Sequence, residues 1–129
     1  MRDILFKAKR IDTGEWVEGL ITFMWGQYHI INPNDENTAY PIDTDTICQY
    51  TGLIDKNGQK IWENDIMVAH LDEDFPDVET YIQVVWHNSG FCTMENGSDD
   101  REPLDEFDTK NFAVCGNIFD NAELLERKE

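Results

Sequence analysis

The chain has 129 residues and a mass of 15.0 kDa. That is one domain of ordinary size, long enough to bury roughly two thirds of its unfolded surface without disulfide or metal staples. Ten Lys and Arg face 27 Asp and Glu, a formal net charge of −17. This speaks against direct nucleic-acid binding, where Lys and Arg release counterions from phosphate, and against an anionic membrane surface.

Residues 3–10 alternate from Leu5 or Phe6 onward and read as a strand with one buried face. Asp12-Thr13-Gly14 is a turn. Trp16 to Met24 returns as a second strand, with Val17, Gly19, Ile21 and Phe23 on its more apolar face. Gly26-Gln27 closes a hairpin onto Tyr28–Ile31. Residues 32–37 are a polar loop, and Pro33 and Pro41 bracket an irregular segment before a short strand at 46–48. Tyr50–Ile54 and Gln59–Trp62 flank Asp55-Lys56-Asn57-Gly58, a hairpin turn built on residues that tolerate positive φ. Glu63-Asn64-Asp65 turns the chain again into Ile66–His70. An acidic loop follows at 71–77, then strands at Val78–His87 and Phe91–Glu95 joined by Asn88-Ser89-Gly90. Residues 96–106 read as an acidic loop. Phe112–Phe119 is the last strand, and Asp120 or Asn121 caps a short C-terminal helix reaching about Arg127.

Strands dominate, so the expected fold is mainly β: a small barrel-like or two-sheet antiparallel domain of hairpins with a short C-terminal helix. It is read as one domain over 1–129, with a subdomain seam near 71–77. The charge is uneven. Residues 1–60 carry six basic and nine acidic groups, and residues 61–129 carry four basic and 18 acidic. Cys48, Cys92 and Cys115 are odd in number, widely spaced and without a CxxC, which argues against a disulfide framework or a thiolate zinc site. The N-terminus lacks the apolar core of a signal peptide, and no apolar run approaches the ~18 residues of a membrane helix. A reduced, cytoplasmic protein is expected.

Three stretches carry a family resemblance. They are Met1–Ala8 with Thr13-Gly14-Glu15-Trp16-Val17-Glu18-Gly19; Tyr50–Gly58 with Ile61-Trp62-Glu63-Asn64-Asp65-Ile66; and Phe112–Asn121 with Glu123-Leu124-Leu125. In order and spacing the chain resembles the YopX family of phage and prophage proteins. The family usually has Gly where this chain has Asn64, in a Glu-Gly-Asp-Ile pattern, and Asn is the next best residue at positive φ. The resemblance implies a mostly β fold and a phage or integrated-phage origin. It implies no activity and no site residues.

Candidate chemistry is sparse. His29, His70 and His87 lie on three predicted strands without HxH or HExxH spacing. Asp72-Glu73-Asp74 with Asp77 and Glu79 lacks the central Gly of a calcium loop. The acids at 99, 100, 102, 105, 106 and 108 read the same way, as a solvated run. Cys92 or Cys115 beside His87 could form a nucleophile pair, but both sit in apolar strand context, where a free Cys is a small buried hydrophobe. Among the four tryptophans, Trp25 beside Gly26 is the one expected to be exposed, which favours a protein interface. Within the middle motif, Tyr50, Asp55, Lys56, Glu63 and Asp65 are the side chains left for other work, with Asp65 expected to cap its own turn.

No catalytic, cofactor or metal residue is assigned. The leading expectation is a non-enzymatic phage accessory protein acting through contact with a protein partner or by self-association as a homo-oligomer. Direct nucleic-acid and membrane partners are not expected. Two alternatives stand beside it. One is an acidic nucleic-acid mimic that inhibits a host DNA-binding protein. The other is a metal-dependent hydrolase of unknown substrate.

Overall fold

Lys7 and Lys9 lie on one side of the first strand and Ala8 on the other, and this alternation sets the first sheet. The computed structural model describes residues 5–32, 34–71, 73–75, 77–88, 90–95 and 100–125, without the side chains of 35–37. The fold is mainly β, with two antiparallel sheets and no closed barrel. The chain divides into two compact units with the boundary at Gly52 and Leu53, so the acidic loop at 71–77 lies inside the second. Among the described residues no helix is long and apolar enough to cross a membrane.

In the first unit, β1 (Phe6–Lys9), β2 (Trp16–Met24), β3 (Gln27–Asn32), β4 (Asp35–Pro41) and β5 (Cys48–Ile54) are arranged in the order β4-β3-β2-β1-β5. Ala8, Ile30 and Ile42 are fully buried, with Val17, Ile21 and Ile47 packed against them. On the opposite side the ammonium groups of Lys7 and Lys9 sit 4.7 and 5.5 Å from the Trp16 ring centroid, within reach of its π face. A bridge between Arg10 and Ile42 brings the chain after β4 back to the end of β1, and it does not extend into a ladder. The segment bracketed by Pro33 and Pro41, expected to be irregular, is strand β4. It lies at the end of the sheet, where a proline costs no ladder bond. The strand expected at 46–48 starts at Cys48, because Asp43 accepts from the Asp45 amide and winds Thr44–Thr46 into a 3-10 turn.

The second unit begins with the hairpin of Leu53 and Ile54 with β6 (Lys60–Trp62). Its sheet comprises β7 (Asp65–Ala69), β8 (Thr80–His87), β9 (Gly90–Glu95), β10 (Glu102–Pro103) and β11 (Ala113–Asn117), in the order β10-β9-β8-β7-β11. Ile61, Met67, Ala69, Ile82, Val84 and Phe112 form its core. Among the described residues the α-helix of this unit is α1 (Glu106–Asn111), whose cap Asp105 and first residue fall within the stretch read as a loop. Asp105 and Asp108 cap each other's amides reciprocally, and Lys110 pairs with Glu106 at 2.6 Å. The C-terminal helix expected from Asp120 or Asn121 is instead a 3-10 turn, Ala122–Leu125, and Arg127 lies outside the described residues. The Asn121 side chain is not free to cap, because its Oδ1 accepts from the Asn117 amide at 3.1 Å.

Two of the resemblance-bearing stretches meet in this unit. Asp55, 4% exposed, accepts from the amides of Asn57 (2.8 Å) and Gln59 (2.9 Å) through Oδ1 and from Val114 (2.9 Å) through Oδ2. Asn64 stands at φ 71, donates its amide to the Val84 carbonyl at 2.7 Å and accepts from the Ile118 amide at 3.1 Å. Asp65 caps its own turn as expected, accepting from the Trp62 amide at 2.8 Å.

Gly19 is dictated by a close approach. A Cβ there would lie 2.2 Å from the Ile31 carbonyl oxygen, beside the bulge that ends the β3–β4 ladder. Gly19→Ala is expected to destabilise the first unit by about 1–3 kcal/mol, as overpacking against backbone does. Urea unfolding followed by tryptophan fluorescence reads it, and an unchanged midpoint would contradict this geometry.

Candidate functional site

Pairing of β10 with β9, in register Glu102↔Thr93 and Pro103↔Cys92, turns the acidic segment after residue 100 back along the sheet. Helix α1 follows at once. Together with β8 they bound a cleft of about 770 Å³ within the second unit. Its floor is the unit's own core, since Ile82 and Phe112 line it and are 5% and 3% exposed. Leu71 and Phe107 add exposed apolar surface at its margin.

The rim is acidic. Glu95, Asp100, Glu102, Asp105 and Asp108 line the cleft beside one cation, Arg101. Burial holds the Asp108 carboxyl above the ordinary range, and the neighbouring charges of Asp105 and Glu102 push the same way. An incoming cation would relieve that repulsion. The arrangement therefore suits a ligand with positive charge and an apolar portion.

The other candidates fall elsewhere. His29 is buried in the first unit with Nδ1 2.9 Å from the Gln27 carbonyl. His70 lies 3.9 Å from the Glu79 carboxylate, and His87 Nε2 lies 3.1 Å from the Asn88 amide. Among the described residues no three His, Cys, Asp or Glu stand together as a metal site. Glu73, Asp74, Asp77 and Glu79 are exposed, and Glu79 accepts from the Tyr81 hydroxyl at 2.8 Å; Asp72 and Asp99 lie outside the described residues. Cys92 Sγ lies 3.9 Å from the His87 backbone carbonyl, a contact that gives the sulfur no base. Cys115 is exposed rather than buried, because it is the extra residue at the bulge between Val114 and Gly116.

Trp25 is exposed as expected, at 89%, while Trp62 is buried. Trp86 is also half exposed and packs edge-on against Phe91 at 4.8 Å. Asp55 is not available for other work, because its carboxylate is spent on three backbone amides. The signal for this was present in Asp55-Lys56-Asn57, where an Asp side chain accepts the amide two residues on. The cleft itself had no sequence signal beyond charge, since it depends on β10 returning to β9.

A family model described as YopX protein matches residues 24–126. The structure is similar to the crystal structure of protein EF1440 from Enterococcus faecalis, with a TM-score of 0.60 and 22% identity over 97% of this chain and 99% of that one. At that identity the likeness bears on the fold alone. A comparison with curated proteins finds no match.

Partial burial raises the Cys115 thiol above its ordinary pKa, and the Glu79 carboxylate raises it further. A nucleophilic cysteine needs the opposite shift. Alkylation of Cys115 by iodoacetamide, followed by peptide mass spectrometry across pH, is expected to show a midpoint above that of a free thiol. A midpoint below it would reopen the thiol as a nucleophile.

Proposed function

The chain belongs to the YopX family, and we propose that it is a non-enzymatic phage or prophage accessory protein that acts by contact with a basic protein partner. The observation that carries this reading is the cleft of the second unit, where five carboxylates and one guanidinium surround an apolar floor. Interfaces of this kind take an apolar anchor in the centre and charge complementarity at the rim. Cys48, Cys92 and Cys115, odd in number and widely spaced, agree with action in a reducing cytoplasm.

The concentration of carboxylates around one opening also favours a second reading, an acidic mimic of nucleic acid that occupies a host DNA-binding protein. Duplex DNA would compete for such a partner and leave an ordinary contact partner bound.

The test is capture of host proteins on the immobilised chain, with the retained protein then titrated against wild type and against a Glu95→Lys, Glu102→Lys double variant. Both side chains are exposed, so the fold should survive. Binding is expected to weaken at least about tenfold in the variant, the loss of close charge pairs. It should weaken again as salt rises from physiological toward about 0.5 M, as screening requires. A partner indifferent to both changes would overturn the reading.

A further inference from the structure

The hairpin turn of the second unit contains an Asn57-Gly58 step. Asparagine is a chemically labile residue, and a following glycine puts no side chain in the way of its own amide nitrogen. That nitrogen can lose its proton to hydroxide and bond to the Asn57 side-chain carbonyl carbon. The Cγ–NH2 bond then breaks, ammonia leaves with a proton from water, and water opens the cyclic imide to aspartate or isoaspartate. Burial does not prevent this here. Both residues are exposed, and a Cβ built on Gly58 would meet no heavy atom within 4 Å. Hydrogen bonding is a different matter, because every amide from 55 to 59 is engaged. The Asp55 amide donates to the Gln59 carbonyl at 2.8 Å and the Lys56 amide to the Phe112 carbonyl at 3.5 Å. The next three converge on Asp55. Asn57 and Gln59 donate to its Oδ1 at 2.8 and 2.9 Å, and Gly58 donates to its carbonyl at 3.0 Å.

We infer that Asn57 is a latent site of spontaneous deamidation, kept unreacted by the Asp55 turn, and that conversion there records opening of the hairpin. Attack requires the Gly58 nitrogen to give up the proton it donates to Asp55. Negative charge developing on that nitrogen would lie between two amides already held by a carboxylate, and a like charge disfavours it. Water and hydroxide are at hand, so the reaction waits on the turn rather than on access. Its rate follows the small fraction of chains in which the hairpin is open. The isoaspartate product routes the main chain through the former side-chain methylene. The Gly58 and Gln59 amides then no longer stand where Asp55 receives them, and the carboxylate loses the frame that aims it at Val114. Conversion is therefore one-way and leaves the hairpin open. The inference uses no part of the acidic cleft and does not need that reading to hold.

Peptide mapping by mass spectrometry tests it on the full chain, held native and in guanidinium chloride at the same mildly alkaline pH. Asn57 is expected to convert at least about tenfold more slowly in the native chain, the protection that local opening gives a hydrogen-bonded amide. Amide exchange at Gly58 should be slowed by a similar factor, since one opening governs both. Equal conversion rates in the two states would overturn the inference. So would a Gly58 amide strongly protected from exchange beside an Asn57 that converts as fast as in denaturant. Neither comparison needs a variant. Asp55→Asn, read by fragment ions that separate position 55 from position 57, is expected to speed conversion of Asn57, and an unchanged rate in a folded variant would count against the turn as the guard. The isoaspartate form, isolated by ion exchange, is expected to have lost Val114 amide protection. Full protection there would overturn the one-way step.

Discussion

One buried carboxylate ties the first turn of the second unit to its last strand. Asp55 is nearly inaccessible to solvent, and an ionised group in that position is costly unless it is fully hydrogen-bonded. Three backbone amides meet that requirement, two from its own turn and one from Val114, 59 residues away in sequence. The middle and closing stretches of the family pattern are thus two halves of one contact. Asn64 repeats the logic, with its amide on Val84 and its carbonyl receiving Ile118. Asp55 and Asn64, two residues of that pattern, are thereby spent on architecture.

A second consequence concerns the end of the sheet. β11 has β7 on one side, and its Val114 and Asn117 amides are taken by the side chains of Asp55 and Asn121. Side-chain acceptors on an edge strand close it to pairing with a foreign strand. Gly116 belongs to the same device, since a Cβ there would lie 2.4 Å from the Asn121 Oδ1.

Much of the strand pattern was legible because turn chemistry and alternation agreed. Gly26 marked the β2–β3 hairpin, Gly58 the turn after Asp55, and Asn64 the left-handed turn before β7. β4 was not legible: Asp35-Glu36-Asn37 shows no alternation, and an end strand needs none. Helix α1 was hidden in acidic composition, although Asp105 and Asp108 stand at the spacing of a reciprocal cap. Phe23 was correctly placed on the apolar face, but a strand of nine residues runs past the core it serves, and sequence alone does not give the core's extent. Trp25 was legible from its place beside a turn glycine. The cleft was not, because its rim charges converge only after β10 has paired.

Amide hydrogen exchange in wild type and Asp55→Asn tests the central claim, that this carboxylate holds the second unit's turn to its edge strand. Asparagine keeps the shape but places either its oxygen or its NH2 group toward Val114, so the three amides cannot all be satisfied as before. The Val114, Asn57 and Gln59 amides are expected to be protected in wild type. In the variant at least one of them should lose about tenfold or more of that protection, the scale of a hydrogen bond to a charged group. The Ile30 amide of the first unit serves as the unchanged control. Equal protection of all three amides in both proteins would contradict the account.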